Sequence, residues 1–220
     1  MKERWFPLAL SRETPGGHIF QAKLLDQELA LWRDDGGAIH VWENRCPHRG
    51  VRLSIGTNRG SELQCRYHGW RFAAGDGRCT RIPAHPELTP PPTIAANVLP
   101  AVEAHGYIWS GLGHLGSLPK LIDSAGTCLR SQFIHASWGV VAAGFGKGYP
   151  LSPDRLAEIS EIEPFIFALR LRSEIRGYFL LQPVSAEETI LHGLLVEQAE
   201  AAERIRLLRY HNAQMRTLAA

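Results

Sequence analysis

Asn44-Arg45-Cys46-Pro47-His48-Arg49-Gly50-Val51-Arg52-Leu53-Ser54 and Cys65-Arg66-Tyr67-His68-Gly69-Trp70, with sixteen residues between His48 and Cys65, decide how this 220-residue chain is read. Each stretch offers one thiol and one imidazole within a few residues: Cys46 with His48, and Cys65 with His68. Pro47 stiffens the first stretch, while Gly50 and Gly69 allow a tight loop and close backbone approach. Trp70 is placed to shield whatever the four donors hold.

Two thiolates and two imidazoles fit a [2Fe–2S] centre with Cys46 and Cys65 on one iron and His48 and His68 on the other. Such a centre moves single electrons at a raised potential. A structural zinc ion is the main rival. Its ligands usually come as Cys-x₂₋₄-Cys and His-x₃₋₅-His knuckles, and neither is present.

The composition is that of a globular protein with a sizeable core: 45% hydrophobic and 21% charged. A formal net charge of +2 and a pI near 8.4 give no electrostatic footprint for nucleic acid. No segment approaches the roughly 18 apolar residues of a membrane span, and Met1–Pro7 has no apolar signal core. The expected location is the cytoplasm, where Cys79 and Cys128 are packed thiols rather than a disulfide.

Working outward from the motifs, residues 18–24, 29–33, 38–42 and 107–109 read as strands, with both motifs on loops. Asp34-Asp35-Gly36-Gly37 and Gly75-Asp76-Gly77 read as hairpin turns. The Gly-rich run from Gly111 to Pro119 marks a boundary, giving domains 1–113 and 114–220. Beyond it a short helix is expected over Pro153–Ser160, then strands over 165–171, 175–182 and 189–196. A last helix begins near Ala199, with Ala201, Ile205, Leu208, Met215 and Leu218 on one face. The fold class is α+β: an antiparallel β-sandwich with the motif loops, followed by a small α+β domain.

Asn44 to Ser54, Cys65 to Phe72, and Ile82-Pro83 resemble the α subunits of Rieske non-haem iron oxygenases over Trp5 to about Gly113. The resemblance implies a Rieske [2Fe–2S] domain bound through Cys46, His48, Cys65 and His68, and a second domain of reduced helix-grip type. Respiratory Rieske proteins carry two further cysteines as a disulfide across the loops. Val51 and Tyr67 stand there here, which implies the lower-potential, ferredoxin-like subclass.

In that family the second domain holds a mononuclear iron in a 2-His-1-carboxylate triad. Ser137 to Val141 resembles the lead-in to it. Lys147 then stands where the bridging acid is expected, and Pro150 and Arg155 where the histidines are, and none of these side chains ligates ferrous iron. A mononuclear iron is therefore not expected, unless His135, His192 and His211 converge. The reading that follows is an electron-transfer subunit of a hetero-oligomeric oxygenase. It takes electrons from a reductase or ferredoxin and serves a catalytic Rieske oxygenase subunit. A complete oxygenase with unusual iron ligands and a free Rieske ferredoxin are the alternatives. Arg45, Arg49, Arg52, Arg59, Arg66, Arg71, Arg78 and Arg81 surround the motifs, and they form either a solvated basic face or a steering surface for an acidic donor.

Overall fold

The structure is a computed structural model that describes residues 1–121, 126–196 and 200–219. It divides into two compact units, Met1–Ser117 and Leu118–Ala220.

The first unit is all β. Its strands are β1 (Phe6–Leu10), β2 (Ile19–Leu24), β3 (Gln27–Arg33), β4 (Ile39–Glu43), β5 (Thr57–Asn58), β6 (Glu62–Gln64), β7 (Arg71–Ala73), β8 (Cys79–Arg81), β9 (Val98–Leu99), β10 (Ala101–Ala104) and β11 (Tyr107–Ser110). They form three antiparallel sheets with orders β1-β11-β10, β2-β3-β4-β9 and β5-β6-β7-β8. The four runs read as strands from sequence all fall on strands.

Asp34 to Gly37 closes the β3–β4 hairpin. Gly37 takes a positive φ of 84°, and the Asp34 carboxylate accepts from Ala38 N. Gly75 and Gly77, at φ 83° and 68°, do the same between β7 and β8. The β2–β3 turn instead places Leu25 and Asp26 in the left-handed region. No glycine marks that turn in the sequence.

What positions the site is the pleat of β3 and β4. Ala30, Trp32 and Trp42 lie on one face of that sheet and pack with Leu53, Leu63, Phe72, Cys79, Ile82 and Ala96 around Cys46 and Cys65. Each large side chain buried this way contributes about 2 kcal/mol. The motif loops thus rest on a dry, close-packed floor.

The second unit has strands β12 (Thr127–Cys128), β13 (Gln132–Ile134), β14 (Tyr149–Ser152), β15 (Arg155–Glu163), β16 (Ile166–Leu171), β17 (Glu174–Pro183) and β18 (Thr189–Leu195), with helices α1 (Trp138–Gly144) and α2 (Ala201–Ala219). The sheet order is β12-β18-β17-β16-β15-β14, with β13 also on β18. This is α+β, as expected, and β16, β17 and β18 match the three strands read from sequence.

The expected helix over Pro153–Ser160 is a correction: residues 155–163 are β15. Asp154 turns the chain by accepting from Ser152 Oγ at 2.8 Å, and β15 then pairs with β16, setting Glu158 opposite Arg170. Cross-strand pairing overrides the helical reading of that segment.

Ala199, where sequence places the start of the last helix, lies outside the described residues. On α2 the expected apolar face is only partly right. His211 and Met215 are buried, Leu208 and Leu218 half-buried, but Ala201 is exposed and Ile205 is 54% exposed. The helix packs through its C-terminal two-thirds.

Candidate metal centre

Both motif loops close through the same backbone scheme. In the first, Cys46 N donates to Val51 O and Gly50 N to Cys46 O, both at 2.8 Å. In the second, Cys65 N donates to Trp70 O at 2.8 Å and Gly69 N to Cys65 O at 3.1 Å. Gly50 and Gly69 sit at φ 71° and 69°, where an L side chain is strained. The sequence places glycine at the position where each loop must turn left-handed.

Around these loops are two supports whose roles sequence reasoning missed. Buried Asn44 donates from Nδ2 to Ser54 Oγ at 2.9 Å and accepts Ser54 N on Oδ1 at 2.7 Å, clamping the ends of the first loop. Pro83 lies against Gly69: a Cβ there would stand 3.2 Å from its ring. Both residues fell inside the family-like stretches, but only a three-dimensional partner reveals what they do.

All four predicted donors meet in this part of the molecule, as two pairs. Cys46 and Cys65 are buried, and their thiols hydrogen-bond each other. This bond, and then burial, raises the Cys46 thiol. Cys65 is pulled down by the same bond, helped by backbone N–H groups of Tyr67 and His68 aimed at its sulfur. His48 and Arg49 N–H groups point likewise at the Cys46 sulfur. Such N–H donors favour thiolate, the form that ligates metal.

The imidazoles form the outer pair. His48 Nδ1 and His68 Nδ1 face each other at 3.1 Å, a separation at which both can reach one metal ion. His48 stacks on Trp70, with centroids 4.3 Å apart and planes 7° from parallel, and Tyr67 covers His68 at 3.8 Å. Desolvation, with the charges of His68 and Arg49, lowers the pKa of His48. Among the described residues no group of three or more His, Cys, Asp or Glu side chains gathers as a site for one ion. The donors stand as two pairs, a buried thiol pair and an outer imidazole pair.

Of the eight nearby arginines, four are engaged. Arg52 pairs with Glu28, Arg59 donates to Gln64, Arg71 faces Glu62 at 3.6 Å and Arg78 faces Asp76 at 3.9 Å. Arg45, Arg49, Arg66 and Arg81 are exposed, and their guanidinium groups form no ion pair with a carboxylate among the described residues. All four cysteines, Cys79 and Cys128 included, are buried and outside any disulfide.

In the second unit, Lys147 lies in the short turn Phe145–Lys147, Pro150 in β14 and Arg155 at the start of β15. The three distant histidines have separate surroundings. His135 is exposed beside Phe133. His192 donates from Nε2 to Gln182 Oε1 at 2.9 Å and accepts Ser131 Oγ on Nδ1 at 2.7 Å. His211 stacks on Tyr149, whose hydroxyl lies 3.1 Å from its Nδ1.

Two mixed Cys/His loops sit on an all-β unit, and residues 4–96 match the Rieske [2Fe–2S] domain, an iron–sulfur domain. Among its relatives is the oxidoreductase NdmD of Pseudomonas putida, 46% identical over 140 residues, which cover 60% of this chain and 24% of NdmD. Another is the oxygenase subunit of 3-chlorobenzoate-3,4-dioxygenase from Comamonas testosteroni, 37% identical over 123 residues, covering 55% and 28%. The match thus spans about a quarter of each of these relatives.

Solved structures extend the likeness of fold to the second unit. NdmA of Pseudomonas putida CBB5 aligns with a TM-score of 0.74 at 19% identity, covering 100% of this chain and 82% of that one. Apo dicamba monooxygenase aligns with a TM-score of 0.73 at 19% identity, covering 92% and 80%. The chain is a Rieske β unit followed by the α+β fold seen in these oxygenases. Among the described residues no helix is long and apolar enough to cross a membrane.

Proposed function

We propose that this chain is the Rieske electron-transfer subunit of a heteromeric non-haem iron oxygenase, with Cys46, His48, Cys65 and His68 holding the cluster. It accepts electrons from a reductase or ferredoxin and passes them to a mononuclear iron in a partner catalytic subunit. The observation that carries the proposal is the pairing of donors: two thiols buried together on the Trp32–Trp42 floor and two imidazoles together toward solvent. When bound, a Rieske cluster supplies one-electron storage at a potential raised by its imidazole ligands.

The chain's own residues supply the setting. The backbone N–H groups of His48, Arg49, Tyr67 and His68 stabilise the thiolates, and Trp70 keeps one face of His48 dry. The exposed His68 edge and the four unpaired arginines give an acidic electron donor a place to approach. Support for an acceptor outside the chain comes from Lys147, Pro150 and Arg155, which offer no iron ligand, and from His192 and His211, engaged in the core of the second unit.

The test is reconstitution with iron and sulfide followed by metal analysis and turnover with a co-purifying oxygenase subunit. About two irons per chain and loss of partner turnover in His68→Ala are expected. About three irons per chain, or unchanged turnover in the variant, would overturn the proposal.

A further inference from the structure

The second unit contains a cleft that none of the preceding chemistry uses. It has a volume of about 400 Å³ and lies between two hairpin turns. Asp154 comes from the β14–β15 turn, Arg155 and Leu156 from the start of β15, and Leu171, Arg172, Glu174 and Arg176 from β16, β17 and their turn. The volume lies within the range of small-ligand sites, about 300–1,000 Å³.

Three guanidinium groups and two carboxylates line the cleft, and each carboxylate has partners, Asp154 attracting Arg155 as well as Ser152. Asp154 accepts from Ser152 Oγ at 2.8 Å, and Glu174 pairs with Arg176 Nη2 at 2.8 Å. Arg172 is exposed, at φ 49° in the turn, with no carboxylate partner among the described residues. Arg176 is held on Nη2 by Glu174, and its Nε has no protein acceptor among the described residues. Opposite this charge stand Leu156, 61% exposed, and Leu171, half-buried.

We propose that this cleft binds a small organic acid, its carboxylate received by Arg172 with Arg155 beside it and its apolar body laid against Leu156 and Leu171. A guanidinium fork matches a carboxylate through two parallel N–H···O bonds, and Leu156 offers apolar surface that an inorganic anion leaves wet.

The experiment is titration of the whole chain with benzoate, followed by calorimetry and by amide shifts of residues 154–156 and 171–176. Benzyl alcohol serves as the uncharged probe and inorganic phosphate as the charge-only probe. Saturable benzoate binding near ~1 mM is expected, with benzyl alcohol and phosphate at least about 10-fold weaker. Arg172→Gln should weaken benzoate by about 10-fold, and Leu156→Ser should weaken benzoate while leaving phosphate unchanged. Both residues are exposed, Arg172 in a turn and Leu156 near the start of β15, and Arg155→Gln gives an independent second loss of charge. Absence of saturable benzoate binding, phosphate binding as tight as benzoate, or Arg172→Gln and Arg155→Gln both binding like the parent chain would overturn the proposal. None of these outcomes depends on the iron–sulfur site.

Discussion

Trp70 lies flat against His48, the two rings 7° from parallel and 4.3 Å apart, while His68 meets Tyr67 at a tilt of 36°. The two imidazoles therefore have unequal cover: Trp70 is partly buried against the core, whereas Tyr67 is 58% exposed. Removing the indole opens the His48 side to water. Trp70→Ala should shorten the lifetime of the reconstituted cluster in air by about 10-fold, and Trp70→Phe should retain most of it. Decay of the visible absorbance measures this, and equal decay in Trp70→Ala and the parent would show that the stack protects nothing.

The Asn44–Ser54 clamp makes a separate statement about stability. Asn44→Ala removes both partners of half-buried Ser54, its N–H acceptor and its Oγ donor, and should cost about 1–2 kcal/mol. Denaturant unfolding of the cluster-free chain reads this directly. Asn44→Asp keeps the acceptor for Ser54 N and should lose less; equal losses would mean the amide orientation is irrelevant.

Gly69 and Gly75 form a matched comparison. Both are left-handed, at φ 69° and 83°, so alanine costs about 1–2 kcal/mol at either. Only at Gly69 does the added carbon also meet Pro83 and Gln64; at Gly75 it meets open space. Gly69→Ala should lower iron bound per chain, while Gly75→Ala should leave it unchanged at a similar loss of stability. If both lose iron alike, the Pro83 contact has no part in shaping the loop.

Salt should separate steering from simple solvation among the arginines. The Arg49 and Arg66 side chains form no ion pair with a carboxylate among the described residues, whereas Arg52 is tied to Glu28. With an acidic donor protein, cluster reduction in stopped flow should slow as ionic strength rises, since charges farther apart than about 10 Å are screened at 0.1 M. Arg49→Gln with Arg66→Gln should flatten that dependence, and Arg52→Gln should not. A salt-independent rate in the parent chain removes the steering role.

His211 ties stability to pH. Burial holds its pKa down to about 4, while the unfolded chain has the ordinary value near 6.5. The unfolded state therefore binds more protons between these values. Stability is full above about pH 6.5, falls as pH drops toward 4, and levels below that. The total loss is about 3 kcal/mol. Urea midpoints at pH 7.5 and 4.5 should show a drop that His211→Gln reduces; the same drop in that variant would place the sensitivity elsewhere.

Much of the centre was legible because its information is local. Cysteine, histidine and glycine fall at fixed offsets, and the loops close within six residues. The hairpin turns at Asp34–Gly37 and Gly75–Gly77 carried glycines and were equally plain. By contrast, the Leu25-Asp26 turn has no glycine, and Arg155–Glu163 mixes apolar and charged residues in an order that fits more than one period. Their state is set by β3 and β16, partners remote in the reading of each segment. Asn44 and Pro83 were visible as letters, yet what they hold lies ten or more residues away.

The shared closure of the two loops has one further consequence. Each is fastened by its own pair of backbone bonds, Cys46 with Val51 and Gly50, and Cys65 with Trp70 and Gly69. Where the histidine falls within the loop, two residues after the cysteine in one and three in the other, has no bearing on whether the loop forms. Histidine spacing is uncoupled from backbone closure, so each imidazole can be repositioned without renegotiating the turn that carries it.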